Sequence, residues 1–158
     1  MRGIDDGMIT GSRAAGLDRV ISRPVADAAV LRALLDAGYL PVVTPMGLDP
    51  DGRICNVNAD DAAAAISASL GGELVLMTDT DGVRGADGER IPELSRAEAA
   101  RLIDEGVIAG GMVPKVSSAL RALGDGSSAE RSVIADGRRA RALHRALHEG
   151  AGTGFRLS

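Results

Sequence analysis

A chain of 158 residues, 45% of them hydrophobic, is long enough to bury a sizeable core, which argues against a wholly disordered protein. Aromatic residues make up only 1%, one Tyr39 and one Phe155, so the core must be built from Ala, Val, Ile and Leu, and a base-stacking nucleic-acid platform is not expected. A formal net charge of −4 gives no basic footprint for phosphate backbones, although Arg clusters between Arg138 and Arg145, so a metabolic small-molecule partner fits better than nucleic acid.

Cys55 is the only cysteine, which rules out an internal disulfide and points to a reducing compartment. Residues 1–10 contain no apolar run of signal-peptide length, and no segment approaches transmembrane length, so a cytoplasmic protein without membrane contact is expected. The sequence is read as one domain over 1–158, opening with an irregular, poorly packed segment at 1–24 whose apolar stretches, Met8-Ile9 and Val20-Ile21, are brief. Apolar residues at helical spacing then predict a helix over 25–37 with Gly38 as its C-cap, followed by a buried strand at Leu40-Pro-Val-Val-Thr44. Turn chemistry in Leu48-Asp-Pro-Asp-Gly-Arg53 predicts a hairpin.

Asn58 and Asp60 are placed to cap an Ala-rich helix that ends at Gly71-Gly72, and residues 73–78 read as a buried strand. A loop rich in Asp and Gly spans 78–88, and Ser95-Arg-Ala-Glu98 is a capping box that opens a helix to about residue 105. A helix over 112–123, a strand over 132–135, a helix over 138–148 and a short strand over 154–157 complete the pattern. Strands separated by helices predict an α/β three-layer sandwich with a mainly parallel central sheet.

Neither a Walker-type loop nor a dinucleotide fingerprint is present, and Gly150-Ala-Gly-Thr-Gly154 does not open a helix. His144 and His148 lie four apart on one predicted helix among arginines and read as a solvated face, not a metal pair, so no metal site is assigned. Three segments concentrate chemistry. Asn56-Val-Asn-Ala-Asp60 packs two amides and a carboxylate where a strand passes into a helix. Thr78-Asp-Thr-Asp-Gly-Val83 lies at the carboxyl end of a strand, the edge at which open α/β sheets bind ligands. Gly110-Gly-Met-Val-Pro-Lys115 pairs two glycines with the only lysine of the sequence at the start of a helix.

These segments, with Asp36-Ala-Gly-Tyr-Leu-Pro-Val-Val43 before them and Gly152-Thr-Gly154 after, resemble the acetylglutamate kinases of the amino acid kinase family, from about Leu34 to the C-terminus. The resemblance implies the carbamate kinase-like fold, of which this chain matches the C-terminal, ATP-binding half. It further implies phosphoryl transfer from ATP, accompanied by Mg²⁺, to the side-chain carboxylate of N-acetyl-L-glutamate in arginine biosynthesis. Lys115 would stabilise the charge of the transferring phosphoryl group, and Asp60 would hold that lysine in position. Asn56 and Asn58 match substrate-binding positions. Asp79, Thr80, Asp81, Gly82, Val83 and Arg84, together with Val107, Ile108, Ala109, Gly111 and Met112, match the segments that hold the nucleotide.

The family's N-terminal half, with its Lys-x-Gly-Gly loop and substrate-gripping Arg, has no counterpart in the sequence. Little activity is therefore expected of the chain alone, and its expected partners are further copies of itself or a complementing N-terminal half. Two alternatives stay open: a kinase for glutamate or aminoadipate held on a carrier protein, and a non-catalytic nucleotide- or arginine-binding module.

Overall fold

The computed structural model describes residues 1–124 and 126–156, and the chain divides into two compact units, Met1–Leu70 and Gly71–Ser158. The first is built on four strands, β1 (Ile9–Arg13), β2 (Val20–Ala26), β3 (Met46–Leu48) and β4 (Ile54–Val57), which close into a small barrel in the order β1-β2-β4-β3. β1 pairs antiparallel with β2 and β3 with β4, while β1–β3 and β2–β4 are parallel. Two helices, α1 (Ala29–Asp36) and α2 (Ala59–Leu70), belong to the same unit.

The expectation of an irregular, poorly packed segment at 1–24 is corrected here. The two brief apolar stretches supply the barrel interior: Met8, Ile9 and Ile21 are fully buried, together with Leu31, Cys55, Val57 and Ala62. A closed four-stranded barrel accepts only one or two inward side chains per strand, so no long apolar run is needed. The predicted buried strand at residues 40–44 is corrected in the opposite direction. Only Met1–Gly3 runs beside it, with Met1 donating to the Val42 carbonyl, Thr44 N–H to Met1 and Gly3 N–H to Thr44. Leu40 and Val42 are left 87% and 75% exposed. β-propensity without a partner strand on the described chain does not make a strand. The helix expected over 25–37 starts later, at Ala29, because 20–26 is committed to β2. Gly38, at φ 80°, closes it as expected, and the 48–53 hairpin turn forms with the Asp49 carboxylate accepting from the Asp51 and Arg53 N–H groups.

The second unit holds a four-stranded sheet in the order β5-β7-β8-β6, formed by β5 (Leu74–Thr78), β6 (Glu93–Leu94), β7 (Ser132–Asp136) and β8 (Thr153–Phe155). Two of its three pairings, β5–β7 and β6–β8, are parallel and β7–β8 is antiparallel. Helices α3 (Arg96–Asp104), α4 (Met112–Ala122) and α5 (Ala142–His148) complete it. All five residues of β7 are buried. Ser132 Oγ donates to the Ala119 carbonyl of α4 at 2.8 Å, whereas Val133 and Ala135 cluster with Ala146 of α5. Because successive strand residues face opposite sides, α4 and α5 cover opposite faces of the sheet, which gives the three layers the alternation predicted.

The Ser95–Glu98 capping box is formed in both directions. The last helix begins at Ala142 instead of residue 138, because Arg138 and Arg139 turn back onto Asp136. The final strand covers Thr153–Phe155; the part of the 154–157 expectation that falls on Leu157 lies outside the described residues. Among the described residues no helix is long and apolar enough to cross a membrane.

Candidate active site

In the first unit the Asn56–Asp60 segment takes its form from strand alternation. Cys55 and Val57 point into the barrel core, so Asn56 between them is turned outward and exposed, its N–H bonded to the Arg19 carbonyl at 2.7 Å. Asn58 is the N-cap of α2: its Oδ1 accepts from the N–H groups of Asp60 at 2.9 Å and Asp61 at 3.3 Å. That bond commits one side-chain oxygen to the helix and leaves the amide nitrogen for other work. Asp60 and Asp61 occupy the first turn, where the helix dipole favours negative charge, and Asp60 is half-buried.

In the second unit the 78–91 loop leaves the carboxyl end of β5 and is moored to β8 through one side chain. Thr153 Oγ1 accepts the Val83 N–H at 2.8 Å and donates to the Ile91 carbonyl at 2.6 Å, and Ile91 N–H in turn bonds the Val83 carbonyl. Val83 is buried, and Gly82 sits at φ 143° where an added Cβ would come within 2.6 Å of Thr153 Oγ1, so glycine is required there. Thr80 Oγ1 donates to the Gly82 carbonyl. Asp79 is exposed at the rim, and Arg84 pairs with Asp81 at 3.0 Å.

The segment holding Val107, Ile108 and Ala109 joins α3 to α4. Ile108 is buried and anchored by its N–H to the Leu102 carbonyl, which leaves Val107 half-buried and Ala109 exposed on either side. Gly110 adopts φ 58°, and a Cβ added at either Gly110 or Gly111 would meet nothing, so the pair opens space at the start of α4. Gly111 is the N-cap and offers no side-chain cap to the first N–H groups of the helix. Met112 begins α4 and Lys115 follows one turn in, half-buried. The Met112 and Val113 N–H groups bond the Ala109 and Gly110 carbonyls and Pro114 has no N–H, so what the start of α4 offers an anionic ligand is the space left by two glycines and the ammonium group of Lys115.

A cluster that the sequence reading passed over lies at the carboxyl end of β7, beside the end of β5, where Gly137 N–H bonds the Thr78 carbonyl. The Asp136 side chain, 7% exposed, accepts from Arg138 N–H and Nε at 3.0 and 2.9 Å, from Arg138 Nη2 at 3.1 Å and from Arg139 Nε at 3.3 Å. The side-chain and backbone hydrogen bonds from Arg138 hold the Asp136 carboxyl far below the usual carboxylate range, and Asp136 together with Asp79 raises Arg138. The Arg138–Arg145 run therefore starts as a structured cap on the sheet edge. His144 meets His148 edge-on at 4.9 Å and faces Glu149 at 3.2 Å.

A model of the amino acid kinase family matches residues 5–136. Acetylglutamate kinase of Sodalis glossinidius is 46% identical over 93 residues, which make up 59% of this chain and 36% of the relative. N-acetylglutamate synthase from Neisseria gonorrhoeae, solved with coenzyme A and L-arginine, matches over 100% of this chain and 38% of its own, at 30% identity and a TM-score of 0.78. Carbamate kinase from Giardia lamblia shares the fold over 86% of this chain and 46% of its own, with a TM-score of 0.68 at 22% identity. The chain thus spans about a third of the length of the curated relative it matches.

Proposed function

Because the chain belongs to the amino acid kinase family and has its carbamate kinase-like α/β fold, we propose that it contributes to phosphoryl transfer from Mg²⁺-bound ATP to the side-chain carboxylate of N-acetyl-L-glutamate. The observation that carries this reading is the start of α4, where Gly110 and Gly111 open space before the helical turn that bears Lys115. In phosphoryl transfer the protein mainly positions the reactants and neutralises charge on the equatorial oxygens, and an ammonium beside a glycine-lined opening suits both. The 79–84 loop, moored by Thr153, and residues 107–109 with Gly111 and Met112 form the nucleotide side. Asn56, turned outward, and the free amide nitrogen of Asn58 serve the acetylated substrate. Asp60 acts with the catalytic machinery as its carboxylate member.

Lys115 is the only lysine of the sequence, so a second lysine on the other flank of the transferring group comes from residues outside it. The working enzyme is thus a homo-oligomer or a complex with a complementing N-terminal half, in the cytoplasm on the arginine pathway. A hydroxamate assay for the acyl phosphate tests this. The isolated chain should give little product, and the chain complemented with the N-terminal half of an acetylglutamate kinase should give more. In the complemented protein, Lys115→Ala should lower turnover by about 10²–10³ while changing KM little. Full activity of that variant would remove the site assignment. Calorimetry with Mg-ADP on the chain alone should show weak binding that Asp79→Ala abolishes.

One observation favours a second reading. The match to a synthase solved with L-arginine supports an arginine-binding module without catalysis, which would show heat with L-arginine and none with Mg-ADP.

A further inference from the structure

The Gly71–Ser158 unit holds a cavity of about 360 Å³ lined by Asp81, Arg90, Asp136, Arg139, Arg145 and Gly152 among others, whose arginines have none of the roles above. Its helix wall is α5, so it opens on the face of the sheet opposite α4 and Lys115. Three guanidinium groups in one small cavity repel each other unless anions compensate them. Arg139 shares Asp136 with Arg138, Arg145 is paired with Glu149, Asp81 is committed to Arg84, and Arg90 bonds a carbonyl and not a carboxylate, so the compensation is incomplete.

The arginines are only partly used. Arg90 gives one terminal nitrogen to the Gly152 carbonyl, Arg139 gives Nε to Asp136 at 3.3 Å, and Arg145 places Nε 3.5 Å from Glu149. Each guanidinium carries five N–H donors, so terminal N–H groups remain on all three. Gly152 lies tight against β7, since a Cβ there would run into the Ile134 carbonyl and Ala135, so this part of the lining is held by the sheet. The volume falls in the range of small-molecule sites, roughly 300–1,000 Å³.

We propose that this cavity binds a small metabolite bearing an oxyanion, a phosphate ester or a dicarboxylate, through the remaining N–H groups of Arg90, Arg139 and Arg145. Planar guanidinium forks match phosphate and carboxylate oxygens two at a time, which a lysine or a backbone nest would not do. Asp81 and Arg90 belong to the 78–91 loop, so an occupant would touch from the α5 side the same loop that is assigned to the nucleotide. The site nevertheless stands without that assignment.

The test is calorimetry on the whole chain with inorganic phosphate and, separately, succinate; the tighter of the two identifies the class. Saturable binding of one equivalent is expected, weakened at least about tenfold by Arg139→Ala or Arg145→Ala and unchanged by Arg141→Ala, which lies outside the cavity. Arg145→Lys, which keeps the charge and loses the fork, should weaken binding by an intermediate factor. In the unaltered protein, amide resonances of Ala151 and Gly152 should shift with either anion, a readout that needs no variant to fold. Absence of saturable heat and of those shifts overturns the proposal, as do equal binding by the Arg139 and Arg145 variants and tighter binding of L-arginine than of either anion. Because Asp79→Ala should leave anion binding intact, loss of the nucleotide reading and loss of this site are separable.

Discussion

In Met1–Leu70 four strands of three to seven residues close around Met8, Ile9, Ile21, Cys55 and Val57, whereas in Gly71–Ser158 a sheet is covered on both faces and its central strand β7 is buried along its whole length. The difference decides where each unit can carry chemistry. A barrel strand has one face inside and one outside, so polar residues such as Asn56 appear between core positions, and Asn58 appears where the strand passes into a helix. In a strand buried on both faces a polar residue needs an internal partner, as Ser132 has in the Ala119 carbonyl, and other polar groups collect at the carboxyl ends of the strands. Asp79, Asp81 and Asp136 all lie there.

The sharpest way to break this comparison is to empty each core separately. Phe155→Ala, at a fully buried position, should cost about 3–5 kcal/mol, and Ile9→Ala about 2–5 kcal/mol. If the units are separate cooperative bodies, hydrogen exchange should accelerate in β5, β7 and β8 for the first variant and in β1–β4 for the second. Uniform acceleration in both variants would make the chain one cooperative unit. Gly82→Ala acts on the loop mooring, forcing a Cβ towards Thr153 Oγ1 at a positive φ. It should cost about 1–3 kcal/mol and weaken Mg-ADP binding together with the melting temperature, and a variant as stable as the parent would show that the mooring is dispensable.

A smaller effect concerns acid. The folded Asp136 carboxyl titrates below its unfolded value, so its contribution to stability is complete above roughly pH 4 and is lost as pH falls towards the depressed folded value. Asp136→Asn should flatten the acid limb of a stability–pH curve, and an unchanged limb would mean the Arg138 pairing does not survive in solution. Smallest of all is Leu40→Ser. At an 87% exposed side chain it should change urea stability by no more than about 0.5 kcal/mol. A substantially larger loss would show that residues 40–44 are packed in solution as the strand their sequence resembles.

The second unit was legible because its signals are local and redundant. A capping box, a glycine pair before α4 and the regular spacing of strands and helices each specify structure within a few residues. The first unit was legible only in part. Asn58 as a cap and the Asp49 turn are short-range hydrogen bonds that residue type announces. The barrel was not visible, since Met8-Ile9 and Val20-Ile21 carry too little periodicity to mark strands that pair across the chain. At the candidate site, Asn58 and Met112 sit at helix starts and Asp79 follows a strand end, whereas residues 107–109 lie in the connection between α3 and α4. Thr153, which moors the 78–91 loop, acts through Val83 and Ile91, far back along the chain, whereas the Asp136 cluster with Arg138 and Arg139 is local but carries no recognisable motif.

By itself the sequence determined which segments could be helix, strand or turn and which of them carry amides, carboxylates, glycines and the one lysine, because backbone propensity and side-chain chemistry are properties of neighbouring residues. Only the tertiary structure decided that the brief apolar stretches of 1–24 form a core and that, of the apolar run at 40–44, Val43 packs against it while Leu40 and Val42 stay exposed. It also decided that the arginines after β7 surround a cavity. Burial and strand pairing require partners distant in the chain, and no local pattern states which partners those will be.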